Sequence, residues 1–87
     1  MNQPIENRLV DFLRSMTGQK SLVAETDLFE AGVTDSLTIM DLLVFVETEF
    51  QIQIGFEHLT PETFETPRTL ANLIMRQLAG NSHSAAA

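Results

Sequence analysis

Between Ile39 and Phe50 the sequence repeats its apolar residues at the period of a helix. Ile39, Leu42, Leu43, Val46 and Phe50 follow one another at spacings of 3, 1, 3 and 4, which at roughly 100° per residue places them in one arc. Such a stripe has to be covered by other elements, so the rest of the chain must supply them. Asp35 or Ser36 is placed to cap this helix, and the periodic run ends at Phe50. The opposite side carries Leu37, Asp41, Val44 and Thr48, which mixes one acid with two apolar residues.

Two further helices are legible. Ile5, Leu9, Phe12, Leu13 and Met16 make a stripe over about 4–17, opened by Pro4 and stopped by Gly18. Leu70, Leu73, Ile74 and Leu78 make another, opened by the Thr66-Pro67 cap and stopped by Gly80. A second cap of the same kind, Thr60-Pro61, predicts a short turn of helix through Phe64. The alternation Gln51-Ile52-Gln53-Ile54 has no partner strand and reads as an extended connector with its isoleucines inward. The long connection 18–34 holds Leu22, Val23, Leu28, Phe29 and Val33, so it is expected to pack on the core. Thr26 to Glu30 is expected to make one helical turn in it.

These elements predict an all-α fold: a small four-helix bundle, with three main helices, one short third helix and a long loop between the first two. One domain over 1–80 is expected, followed by a flexible tail over 81–87. The chain contains no cysteine. There is accordingly no disulfide framework, no thiolate nucleophile and no cysteine zinc site, and the core must hold by burial alone.

Charge narrows the partners. Asp and Glu number 12 against 5 Lys and Arg, for a formal net charge of -7. Phosphate recognition needs clustered cations, so nucleic acid and anionic membranes are excluded as partners and a basic protein surface fits better. No apolar run reaches the roughly 20 residues of a membrane span. The opening Met1-Asn2-Gln3-Pro4-Ile5-Glu6 has neither the basic nor the apolar stretch of a secretion signal, so a soluble, cytoplasmic protein is expected. The acids concentrate in mid-chain, and no Lys or Arg lies between Lys20 and Arg68. The middle of the domain is therefore expected to present one negative field, able to steer basic partners.

The segment Glu30-Ala31-Gly32-Val33-Thr34-Asp35-Ser36-Leu37 carries the most information. Gly32 permits an unusual backbone turn, and Ser36 falls where the strongest helix begins. An Asp-Ser pair there is most often only a cap. Its functional alternative is an exposed hydroxyl at the positive end of a helix dipole, where free N–H groups would stabilise a phosphate. Asp35 would oppose that anion unless a divalent metal mediates its attachment.

Taken together, Asp27-Leu28-Phe29-Glu30-Ala31-Gly32, Asp35-Ser36-Leu37, Glu49-Phe50-Gln51-Ile52-Gln53-Ile54 and Leu59-Thr60-Pro61-Glu62-Thr63-Phe64 resemble the acyl and peptidyl carrier proteins over about 9–78. The resemblance implies a 4′-phosphopantetheine arm on Ser36, with Asp35 beside it, installed from coenzyme A by a phosphopantetheinyl transferase using Mg²⁺. The arm's thiol would hold an acyl or aminoacyl group as a thioester, which suits a chain with no sulfhydryl of its own. An acyl- or aminoacyl-loading ligase and downstream transferase or synthase enzymes would be the other partners, and the carrier, a monomer, would catalyse nothing. In that family the equivalent helix is the docking surface, which here corresponds to Leu37, Thr38, Asp41, Val44, Glu47 and Thr48. Met40, Phe45 and Val46 would line a cleft for the carried group.

The sequence also departs from the fatty-acid-synthesis carriers. Thr38, Val44 and Thr48 make the docking helix less acidic, Gly55-Phe56 stands where a proline-acid pair is usual, and the segment around Thr60 is longer. These departures point to a specialised biosynthetic pathway of the natural-product, polyketide or nonribosomal peptide type. Two other functions compete with the carrier. An unmodified adaptor would use the acidic face alone and would have no need of the serine. A hydrolase built on Ser36 would need a base and an orienting partner that the sequence does not offer. His58 reads as a surface histidine, and with His83 in the tail the two make no metal site. Asp27, Glu30 and Asp35 lack the spacing of a calcium loop.

Overall fold

The computed structural model describes residues 3–86, with side chains for 4–55 and 57–79. Three α-helices carry the fold: α1 (Gln3–Thr17), α2 (Ser36–Phe50) and α3 (Pro67–Ala86). There is no strand among the described residues. Nor is there a fourth α-helix among the described residues. The segment expected to form it closes as consecutive tight turns, in which Thr63, Phe64 and Glu65 donate to the carbonyls of Thr60, Pro61 and Glu62. The Thr60 hydroxyl accepts from Thr63 N–H at 3.4 Å, so the expected cap forms, but with no helix behind it. A single 3₁₀ turn, Phe56–His58, precedes it.

Each helix boundary has a chemical cause. α1 stops where Gly18 takes a left-handed φ of 74° while its N–H reaches the Arg14 carbonyl. α2 ends at Gln51, left-handed at φ 55°. α3 opens on a reciprocal cap: Thr66 Oγ1 accepts from Thr69 N–H, and Thr69 Oγ1 accepts from Thr66 N–H, both at 3.1 Å. Pro67 is buried in the first turn that follows. Gly80 does not stop α3, which runs on to Ala86. A glycine inside a helix costs about 1 kcal/mol, too little to end one without a left-handed turn. Ala87 and the His83 side chain lie outside the described residues.

The core joins all three helices and the connections. Ile5, Leu9 and Leu13 come from α1, Leu42 and Val46 from α2, and Leu70, Leu73 and Ile74 from α3. Leu22, Leu28, Val33, Ile52 and Phe64 close it from the connecting segments. Phe12, Met16, Ile39, Leu43 and Phe50 pack against it half-buried, as edge members of their stripes. Leu78, expected in the α3 stripe, is exposed.

The long first connection is pinned rather than loose. Leu28 N–H donates to Glu65 O, and Arg68 N–H donates to Ala24 O. Arg14 Nε reaches Leu22 O at 2.7 Å, and the Gln19 amide reaches Ala31 O at 2.9 Å. Val23 and Phe29, expected to face inward with their neighbours, are instead exposed. The turns around them bury Leu22 and Leu28, and the adjacent residues are left outside.

Candidate functional site

The chain leading into α2 is fixed residue by residue. Asp27 Oδ1 accepts from the N–H groups of Phe29 and Glu30 at 2.9 and 3.1 Å, which starts the expected turn. The turn closes when Ala31 N–H reaches Asp27 O, and Val33 N–H then bonds back to Leu28 O. Between them Gly32 sits at φ 75°, a conformation that disfavours any residue with a Cβ. Val33 is buried and anchors the segment. Asp35 follows in an extended conformation and caps α2 by accepting from Thr38 N–H at 3.0 Å.

That cap resolves the Asp35-or-Ser36 ambiguity of the sequence. Asp35 performs the capping, so Ser36 is released from it. Ser36 is the first residue of α2, exposed, and its hydroxyl makes no hydrogen bond to any described residue. As first members of the helix, Ser36 and Leu37 have N–H groups with no intrahelical acceptor. A phosphate ester at Ser36 Oγ would therefore find free donors and the positive end of the dipole. Hydrogen bonds from Thr38, first its side chain and then its backbone, hold the Asp35 carboxyl below its ordinary range. It is thus anionic near neutrality, beside the position any phosphate would take.

Beyond Ser36, α2 turns an apolar stripe to solvent. Leu37, Met40 and Val44 are 77, 58 and 59% exposed. Leu37, Asp41, Val44 and Thr48 share the outward arc read from the sequence, and all four are exposed. Thr38 and Glu47 are half-buried on its flanks, and Glu47 Oε2 accepts from Ile54 N–H at 3.2 Å. Met40 belongs with this stripe. Of the three residues expected around a cleft, Met40 is exposed, Val46 is fully buried in the core and Phe45 stacks on Phe12 of α1.

A depression that sequence reading missed lies next to the start of α2. Phe29, Thr34, Ile39, Leu59, Pro61 and Phe64 are among the residues around its volume of about 250 Å³. It draws on three separate segments, so no local periodicity announces it. The exposure of Phe29 is its one visible mark. His58 pairs with its neighbour Glu57 at 3.7 Å. Among the described residues no cluster of His, Cys, Asp or Glu is arranged to hold a metal ion.

The acidic field is less uniform than the linear sequence suggests. Arg68 bonds Glu6 at 3.1 Å and Glu25 at 2.5 Å, and Arg8 pairs with Glu49. Asp41 has no ion-pair partner among the described residues. The negative charge left without an arginine partner is therefore spread unevenly over the surface.

The chain is thus a small helical domain that presents an unbonded serine hydroxyl at a helix start, beside an exposed apolar stripe. Residues 7–74 match the family described as the phosphopantetheine attachment site, and the chain belongs to that family. Its cofactor is phosphopantetheine, and the free hydroxyl and unpaired N–H groups at the start of α2 fit such a group. The chain is 31% identical to aminoacyl carrier protein 1 of Bradyrhizobium diazoefficiens, over 88% of this chain and 89% of the relative. It is 30% identical to the probable acyl carrier protein PigG of a Serratia species, over 95% of this chain and 99% of the relative. It is 32% identical to the D-alanyl carrier protein of Enterococcus faecalis, over 76% of this chain and 87% of the relative.

Proposed function

We propose that this protein carries an acyl or aminoacyl group as a thioester on a 4′-phosphopantetheine arm joined to Ser36 through a phosphodiester, and presents that group to partner enzymes. The observation that carries the reading is the division of labour at the head of α2, where Asp35 caps the helix and leaves the Ser36 hydroxyl exposed and unbonded. The arm supplies the thiol that this cysteine-free chain lacks. The protein's own residues position and present. Asp35 fixes the first turn, Gly32 and Val33 hold the approach to it, and the N–H groups of Ser36 and Leu37 would be donors for the phosphate. The depression formed by Phe29, Thr34, Ile39 and Phe64 offers apolar surface to the proximal arm.

Partners fall into the classes such a cycle needs: a phosphopantetheinyl transferase, a ligase that loads the cargo, and a transferase or synthase that removes it. Leu37, Thr38, Asp41, Val44, Glu47 and Thr48 form their docking face, and the exposure of Met40 supports including it in that face. The relatives are aminoacyl, acyl and D-alanyl carrier proteins, which supports a specialised biosynthetic role. No helix among the described residues is long and apolar enough to cross a membrane. A carrier domain over 1–80 is supported by a family match over residues 7–74.

The test is intact-mass spectrometry after incubation with coenzyme A, Mg²⁺ and a broad-range transferase. The chain should gain one phosphopantetheine and Ser36→Ala should gain none. Failure of the wild-type chain to gain the arm, or equal gain by Ser36→Ala, refutes the assignment.

A further inference from the structure

A groove of about 500 Å³ runs between α1 and α2. Phe12, Met16 and Phe45, all half-buried, make its deeper surface, and the Phe12 and Phe45 rings stack at 4.1 Å. Asp41, Val44 and Thr48 flank it, and all three are exposed on the outward arc of α2. The apolar stripe that starts at Leu37 thus enters the groove at Val44. An exposed apolar surface of this kind, continuous with a docking face, is a site that asks to be covered.

The charges around it decide what covers it. Glu49, which also borders the groove, is neutralised by Arg8. Asp41 keeps an uncompensated carboxylate at the edge. A second copy of this chain would bring another Asp41 and another net charge of -7 against the first, which like-charge repulsion disfavours. A hydrocarbon cargo would use the aromatic surface but give Asp41 no counter-charge. A partner protein that inserts an apolar side chain next to a lysine or arginine satisfies both.

Resting on the carrier reading above, we infer that the docking surface turns from α2 onto α1, and that this groove receives an apolar side chain of the loading or accepting enzyme with a basic residue beside it against Asp41. Phe12 and Met16 are then partner-binding residues although they lie on a different helix from Ser36. The apolar contact anchors the partner, and the ion pair sets its orientation.

The experiment is a heteronuclear NMR titration of the isotope-labelled full chain with a helical peptide of leucines and lysines. Matched peptides replace its leucines by serine or its lysines by glutamate. The leucine–lysine peptide should saturably shift the amide signals of Phe12, Met16, Val44 and Phe45, and both matched peptides should bind far more weakly. Asp41→Lys, which is exposed and leaves the fold intact, and Met16→Lys, checked by circular dichroism, should each weaken binding about fivefold or more, as expected for loss of one anchoring contact.

Four results overturn the inference. In the first, the shifts leave α1 untouched. In the second, the serine peptide binds equally. In the third, the same signals move with protein concentration alone, which indicates a second copy. In the fourth, they move only when the arm is loaded, which indicates the cargo. The carrier reading itself fails only in the mass assay, so the two failures are distinguishable.

Discussion

Val44 and Val46 stand two residues apart on α2 and make the same substitution answer two different questions. Val46 is fully buried, whereas Val44 is among the exposed large apolar residues. Val46→Ala removes two buried methyl groups at about 0.8 kcal/mol each, and incomplete collapse of the cavity adds about 1 kcal/mol, for a loss of about 2–3 kcal/mol. Val44→Ala removes the same atoms from a largely wet position and should cost about 0.5 kcal/mol. A chain this size has a total stability of about 4–13 kcal/mol, so the first change is severe and the second minor. The assay is urea unfolding followed by far-ultraviolet circular dichroism, because the chain has no Trp or Tyr to report by fluorescence. The m-values should match, with only the Val46→Ala midpoint falling. In transfer assays with a cognate enzyme the ranking should invert, with Val44→Ala slower and Val46→Ala near normal while folded. Equal destabilisation by the two changes would refute the assignment of a wet, partner-facing side to α2.

Other perturbations test the rest of the site. Asp41→Lys should slow transfer to a partner more at low than at high salt, because screening shortens to about 8 Å at physiological ionic strength, and ionic-strength-independent kinetics would remove the steering argument. Gly32→Ala meets no atom within 4 Å of the new Cβ, so its cost should be only the left-handed backbone, about 1–2 kcal/mol, read as a lower urea midpoint. The Asp35 carboxyl is depressed in the fold, so its stabilising share is fully present above its ordinary range and lost as pH falls through the depressed value. Asp35→Asn keeps a capping group but not the titration, so its acid-unfolding curve should be flatter in that window. Identical curves for the two proteins would deny the Asp35–Thr38 contact a role in stability.

What the sequence revealed was what periodicity and capping can encode locally. The stripes at Leu9 and Leu13, at Leu42 and Val46, and at Leu70 and Ile74 all face the core. Gly18 ends α1, Thr66-Pro67 opens α3, and Ser36 stands exposed at the head of α2. The misreadings cluster where local rules are ambiguous. Thr60-Pro61 has the chemistry of a helix start, but Phe64 is drawn into the core only a few residues later and the segment closes as tight turns. Met40 lies at the edge of the buried stripe, and only the packing of neighbouring elements decides that it faces water.

Electrostatics was the least legible level, because charge pairing is set by the fold and not by order along the chain. Read linearly, ten acids between Lys20 and Arg68 form an unbroken negative block. Folding returns α3 beside α1, so that Arg68 meets Glu6 from 62 residues away and Glu25 from the loop, while Arg8 reaches across to Glu49. Those pairs spend cations on holding the helices and the loop together, and Asp41 and Asp35 keep their charge on the face that carries Ser36. Selectivity for a basic partner, on the proposed reading, would depend less on the net charge of the chain than on which carboxylates the scaffold leaves unpaired. An added lysine facing Glu25 should barely change partner transfer, whereas the same charge placed at Asp41 should change it markedly.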